Sequence, residues 1–478
     1  MRNDTKQAIK NIAQILEISE KYVRYDDREK VYVIENCVSE NSLEVIKFNK
    51  DIQFDDLLDY PLKFHKCEFL ESVIGYEKQF RHKLIFTNVT FKKILNLAFS
   101  IFSNEINFFN ATLEESIDCR QCEFKGAFKA FGVMFLKRAI FENSTFEKEV
   151  HFGKEIDDRN TEKSNMFGSC SFETAFFENC NFFDSVYFKN NEFKQLFFKN
   201  SIFKDNVYFN NSHFYDFADF HECEFEKTAC FYGATFHNKA ILNFSQAIFK
   251  ENLNFVNVKC DFEFKDLKDT IENDDKTLSS KVANDFRDSF RLIKNALVKD
   301  NNLLDASNFH KYELYCKEIE LDSKNPKMLK DKIDKLQLCF YRKLCNHHTD
   351  LILNLKWLMI TIGLFTILFF ASKIIQGKEI WNLNHYGIAL SASSCIMIVL
   401  LCLFDYLKLL GGFAYLNLVA TLWLVCYNPK LIFGVVNILG DSCFNSFENI
   451  VMVTYTIMMF LVVFSLQKTA RKNSIIPH

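Results

Sequence analysis

Only 4 prolines and 13 glycines punctuate this chain of 478 residues. Those two residues make most sharp turns in ordinary globular folds, so here the chain must turn by some other repeated device. An excess of either charge is missing as well. With 58 Lys and Arg against 61 Asp and Glu, the formal charge is −3, which excludes a strongly basic nucleic-acid binder and a strongly acidic mimic. Catalytic signatures are also lacking. The chain contains no G-x-x-x-x-G-K-[ST] phosphate loop, no G-x-S-x-G elbow and no H-E-x-x-H, so it is not read as an enzyme and no cofactor is expected.

Phenylalanine is what the chain has in abundance, with 55 copies. Through the middle it recurs every five or six residues, as Phe172, Phe177, Phe182, Phe188, Phe193, Phe198, Phe203, Phe209, Phe214, Phe220, Phe225, Phe231 and Phe236. Two positions before most of these stands a small or β-branched residue, such as Cys170, Ala175, Cys180, Val186, Ser201, Val207 or Cys223. On an extended segment residues i−2 and i point the same way, so each pair faces one interior. Glu173, Glu178, Asp184, Lys189, Lys194, Lys199, Lys204, Glu222 and Lys227 lie between them and belong outside. No single side can bury its Phe alone, so coil must stack on coil, ~4.8 Å apart. The product is a β-solenoid.

These residues resemble the pentapeptide-repeat family in its phenylalanine-rich variant, most clearly from Cys170 to Phe255. A weaker ladder runs back through Val150/Phe152, Ser144/Phe146, Ala139/Phe141, Cys122/Phe124, Ala111/Leu113, Val89/Phe91 and Cys67/Phe69. The resemblance implies a right-handed quadrilateral β-helix. Family repeats step by five, whereas here fives and sixes alternate, as from Phe203 to Phe209, Phe214 and Phe220. Either the corners take up the extra residue or the coil departs from the four-square form.

At the other end, Trp357–Ile375, Gly387–Phe404, Leu409–Cys426 and Ile450–Leu466 are apolar runs. Each approaches the roughly 20 residues that cross a bilayer as helix, with Trp and Tyr near several ends. A shorter run, Leu431–Leu439, reads as re-entrant or interfacial. The expected organisation is a cap over 1–60, the solenoid over 61–264, a helical linker and juxtamembrane region over 265–350, an α-helical transmembrane domain of about four spans over 351–467, and a basic tail over 468–478. Met1–Glu20 is charged and amphipathic rather than a secretory signal. Lys343, Arg342 and Lys356 flank the first span, and Lys468, Arg471 and Lys472 follow the last. Both ends are therefore expected in the cytoplasm of a bacterial inner membrane.

Between solenoid and membrane, Asp266–Lys281 reads as a linker or end cap, and Val282–Leu321 as two helices. Arg291, Lys294, Glu313 and Glu318 offer a charged surface there, although a solvated helix face is the ordinary meaning of such charges. Lys324–His348 is basic and amphipathic and would run along a membrane surface. Of the 16 cysteines, several occupy small positions of the ladder as fillers. Cys119 and Cys122 form a C-x-x-C without a second pair at zinc spacing, so no metal is expected. The polar segment Gly153–Asn165 interrupts the ladder, and its Glu155, Asp157, Asp158 and Arg159 are candidate interaction residues on an outward loop.

Two functions of different class fit this pattern. In the first, a non-catalytic scaffold holds its solenoid at the membrane for a cytoplasmic protein partner. In the second, the helices form a channel or transporter, assembled as a homo-oligomer and regulated by the solenoid; few ionisable residues interrupt the spans, which weighs against it. A third reading follows from soluble pentapeptide-repeat relatives that imitate DNA and bind a topoisomerase. Mixed Lys and Glu on the outward positions disfavour it, and no nucleic-acid partner is expected.

Overall fold

The computed structural model describes residues 2–36, 45–153, 169–237, 240–273, 279–324, 328–376, 385–404, 406–427, 429–433 and 445–472. They form two compact units, Met1–Lys324 and Asn325–His478.

The first unit is a β-solenoid of about nine turns. Each early coil contributes four short strands, and from Met134–Ile140 onward two of the four usually run together, as in Ser171–Phe176 and Glu192–Phe197. Leu62–His65, Cys67–Phe69, Val73–Ile74 and Gln79–Phe80 make one coil, and Leu84–Thr87, Thr90–Phe91, Leu95–Asn96 and Ile101–Phe102 the next. Strands pair in parallel with their counterparts one coil away, Leu62 with Leu84 and Leu84 with Ile106. The ladders merge into sheets of 11, 14 and 8 strands. The parallel ladder reaches back to Tyr32 and Ile46, where Ile46–Phe48 pairs with Cys67–Phe69.

The corners account for the alternation of five and six. Lys66, Glu77, Asn88, Phe99, Asn110, Gln121, Gly132 and Asn143 all have positive φ and stand eleven residues apart, two per coil. Asn179, Asn190, Asn200, Asn211, Glu222, Gly233, Gln246 and Asn257 continue the series. Asn tolerates the left-handed region better than other residues with a Cβ, so these corners turn without proline and mostly without glycine. A step through such a corner takes five residues, as Phe86–Asn88–Phe91 does. The intervening corners lack a left-handed residue and usually take six, as from Phe203 to Phe209. Most coils thus take 22 residues, or 21 where Phe172–Phe177 and Phe193–Phe198 shorten a corner; Val150 and its partner Val186 stand 36 residues apart, and Glu224 and Ile248 in the last coil 24. Where long and short corners stack, the register slips between Phe135 and Arg138 and again between Phe193 and Gln195, the ordinary way a ladder absorbs one extra residue.

Both ends of the solenoid are covered. Helix α1 (Arg2–Ile15) and the antiparallel pair Val23–Asp26 and Val31–Ile34 lie at the first coil, with Ile12, Ala13 and Leu16 continuous with the interior. At the other end lie α2 (Phe264–Asn273), α3 (Ser279–Lys299) and α4 (Leu303–Ser323). Part of the segment read from sequence as a linker is therefore helix, because Leu267 and Ile271 are one turn apart and both buried. Ser289 Oγ accepts the Phe244 amide at 2.7 Å, and Phe309 meets Phe255 edge-on at 5.7 Å.

The second unit is helical: α5 (Leu329–Cys345), α6 (Leu351–Ile375), α7 (His385–Leu403), α8 (Leu409–Tyr427) and α9 (Ser446–Lys472). Three helices, Leu351–Ile375, Leu409–Cys426 and Ser446–Arg471, are long and apolar enough to cross a membrane, and α7 holds a shorter apolar stretch, Ala389–Leu403. Trp423 of α8 donates to Ser391 of α7. Gly363 of α6 lies against Asn417 of α8 so closely that a Cβ there would come within 2.5 Å of the Asn417 Cβ. Of Leu431–Leu439, Leu431 is buried and the Ile432 carbonyl accepts from Tyr455; residues from Gly434 lie outside the described set.

Candidate functional site on the solenoid exterior

The interior has a structural role. From Phe172 to Phe231 the ladder phenylalanines are at most 1% exposed, and Phe236 is 5% exposed. Each ring stacks on its equivalent in the next coil, as Phe177 does on Phe198 at 4.9 Å and Phe182 on Phe203 at 4.8 Å. Beside them runs a polar column just after one series of left-handed corners, alternating Ser100, Cys122, Ser144, Cys180, Ser201 and Cys223. Cys180 Sγ donates to the Phe141 carbonyl at 2.9 Å, and Cys223 Sγ to the Phe198 carbonyl at 3.0 Å. Ser201 Oγ donates to the Phe177 carbonyl at 2.6 Å and accepts the Cys180 amide at 2.9 Å. The small positions therefore fill space and also satisfy buried backbone groups. Burial pushes the Cys170 thiol up to about 12 and raises those of Cys180 and Cys223 further, so all three remain protonated donors. Cys119 and Cys122 are both buried and unbridged, and burial likewise raises Cys119. Among the described residues no His, Cys, Asp and Glu cluster is arranged to hold a metal ion.

Outside, much of the charge is paired from coil to coil. Lys47 meets Glu68 at 3.0 Å, Lys83 meets Glu105 at 2.6 Å, and Lys227 meets Glu251 at 2.6 Å. Lys92 bridges Glu68 and Glu114, Lys194 pairs with Glu173, and Lys250 lies within 3.4 Å of both Glu224 and Glu226. Each of these contacts sets a lysine beside a carboxylate of another coil.

The outer face of the 11-stranded sheet is different. A strip of side chains runs along it from Val31, Val33 and Ile85 to Phe109, which cluster together although Ile85 points away from the solenoid interior. Phe109 meets Phe131 at 5.5 Å, Phe131 meets His151 at 6.1 Å, His151 stacks on Tyr187 at 4.5 Å, and Tyr187 on Tyr208 at 5.1 Å. Lys189 Nζ lies 5.4 Å from the Tyr187 ring centre and 5.0 Å from that of Tyr208, within cation–π range. Burial raises the Tyr208 hydroxyl pKa, with Tyr187 adding to the effect. Lys63, Asn107 and Lys129 share the register of Ile85 and His151, and the two lysines pair with Glu29 and Glu105. The row becomes continuously aromatic and half-buried only over its later coils, at His151, Tyr187 and Tyr208. Sequence reading missed it, because its members become neighbours only once a coil is known to take 21 or 22 residues; the spacings Phe109 to Phe131 and Tyr187 to Tyr208 carry that signal.

Glu155, Asp157, Asp158 and Arg159 lie outside the described residues. The charges at the solenoid's helical end do not form a free surface. Arg291 Nε and Lys294 Nζ of α3 lie 3.0 and 2.7 Å from the two carboxylate oxygens of Glu313 on α4, and Glu318 is buried. They join the two helices. Burial would raise the Glu313 carboxyl, but hydrogen bonds from His310, Lys294 and Arg291 outweigh it and hold it at about 2. His347 is buried, and His348 lies 3.3 Å from Ser465 Oγ and 3.4 Å from Cys345 Sγ.

Comparison with known proteins places this geometry. Residues 220–264 match the family described as Pentapeptide repeats (9 copies). No curated protein and no solved structure matches.

Proposed function

Because the chain is a pentapeptide-repeat protein with three C-terminal helices long and apolar enough to cross a membrane, we propose that it is a membrane-anchored, non-catalytic scaffold. In this reading α6, α8 and α9 cross a bacterial inner membrane, and α7 crosses as a fourth span beside α8. The solenoid and both termini then lie in the cytoplasm. The aromatic strip from Phe109 to Tyr208 is the surface that receives a protein partner.

The contrast between faces carries this reading. Long rows of the exterior satisfy their own charges from coil to coil, whereas the strip leaves the edges of stacked rings half-exposed. Aromatic side chains supply large contact area at low entropic cost, which is why they are enriched where proteins meet. The pairing of Lys with Glu across the other faces supports a protein scaffold over an imitation of duplex DNA, which needs continuous negative charge.

A photo-reactive residue placed at Tyr187 or Tyr208 in cells, with Asn181 on the 8-stranded sheet as control, tests the assignment. Adducts of one defined mass from the two tyrosine positions, and none from Asn181, are expected. The same adducts from both faces, or none from either, would overturn it. The pair Tyr187→Ala and Tyr208→Ala should lower partner recovery at least tenfold while the solenoid still unfolds cooperatively, its midpoint lower by only a few degrees.

A further inference from the structure

We propose that the helical unit binds one anionic phospholipid, with its headgroup at Lys343 and an acyl chain laid along α6 and α9. A groove of about 620 Å³ lies between α5, α6 and α9, lined by Ile333, Leu336, Phe340, Leu344, Trp357 and Leu461. A second hollow of about 310 Å³ continues from it through Trp357, Thr361 and Met458, and runs between α6 and α9 to Leu368 and Ile450. Together they make a furrow along two apolar helices, the dimension of an extended hydrocarbon chain rather than of a compact solute.

Two further observations say what lies in it. Five apolar residues of α5, Leu329, Ile333, Leu336, Phe340 and Leu344, share one face of the helix. Phe340 and Leu344 pack against Trp357 and Val462, whereas Leu329, Ile333 and Leu336 are more than half exposed. An exposed apolar row continuous with membrane-length helices belongs in hydrocarbon, as in interfacial helices. The charge sits at one end only. Lys343 is the one ionic side chain among the described residues lining the groove, and Arg342 precedes it. Trp357 Nε1 donates to the Lys343 carbonyl at 2.8 Å, so the indole fixes this end of α5 at the level where tryptophan and cationic side chains meet lipid headgroups. A basic end on a long apolar furrow fits a phosphodiester carrying acyl chains.

The inference rests on the proposal that α6 and α9 lie in a bilayer, and the test separates the two. The chain has three tryptophans, so Trp381→Phe with Trp423→Phe leaves Trp357 as the sole reporter. The full-length protein is reconstituted with bromine-labelled phosphatidylglycerol or phosphatidylcholine of the same chains. Quenching of Trp357 by the anionic lipid at a mole fraction at least fivefold lower is expected. Lys343→Gln should bring that ratio near one, and Lys343→Arg should preserve it, which also shows that the position tolerates substitution. Millimolar glycerol phosphate should not relieve the quenching. Equal quenching by the two lipids, an undiminished preference in Lys343→Gln, or relief by glycerol phosphate would each overturn the lipid site while leaving membrane anchoring intact. Release of the protein from vesicles by alkaline carbonate would overturn both.

Discussion

An interior phenylalanine of the solenoid has two kinds of neighbour. Phe198 stacks on Phe177 and on Phe220, one coil to either side, at 4.9 and 5.4 Å, and meets Phe188 and Phe209 edge-on at 5.5 and 5.9 Å. Phe198→Ala removes both sets of contacts at a site whose walls are other rings, so it should cost about 3–5 kcal/mol. Lys199→Ala, next to it on the outside, should stay within about 0.5 kcal/mol. Urea unfolding of the full-length protein in detergent compares the two. The thiols of Cys170, Cys180 and Cys223 are held above the usual range by burial. Iodoacetamide at pH 8 should therefore leave all three unmodified in the folded protein and alkylate them in urea. This scale was largely legible in the sequence, because a small residue and a Phe at i−2 and i betray one interior wherever the chain is extended. The corners were legible only in retrospect: the Asn that follows many ladder phenylalanines by two, as Asn179, Asn190 and Asn200 do, takes the left-handed conformation that glycine would otherwise supply.

Between elements, a few contacts carry much of the specificity. Arg291 and Lys294 clamp α3 to Glu313 of α4. The Glu313 carboxyl is held at about 2, below its ordinary 4.5. A depressed carboxyl contributes stability that is complete above the ordinary value and is lost as pH falls through the window from about 4.5 to about 2. Amide protection of α3 and α4, taken relative to the unstructured-chain rate at each pH, should therefore fall as pH drops from about 4.5 toward about 2, and Glu313→Gln should start less protected and respond less. In the second unit Gly363→Leu forces a side chain into Asn417 and should cost about 1–3 kcal/mol through overpacking, seen as a lower melting midpoint in detergent. These pairings were not legible in the sequence. Arg291, Lys294 and Glu313 read there as a charged surface, because charge on a helix says nothing of the partner helix until the register between the two is known. Four apolar runs were plain, yet which of their faces meet, and that Gly363 lies where α8 leaves no room for a Cβ, depends on packing.

For the first unit as a whole, the 21- or 22-residue coil is the unit of construction. Deleting Ser171–Asn191 removes one full coil and rejoins Cys170 to Glu192 in matching register, because Ser171 pairs with Glu192. Each coil touches only its neighbours, so this deletion should leave the fold intact and lower the unfolding midpoint by a few degrees. The aromatic strip belongs to this scale too, which is why a reading confined to steps of five and six passed over it. The parallel ladders have one more consequence, for a protein proposed to be tethered at one end. A pull applied where the chain leaves α4 reaches the covering helices first, and then the coils in order. Each coil is held to the next by its own short row of hydrogen bonds, so the solenoid should yield one coil at a time. A single-molecule extension trace would then climb in steps of about 7 nm, the stretched length of 22 residues, with one longer step where Val150 and Val186 stand a coil apart, and the rod would act as a graded absorber of tension.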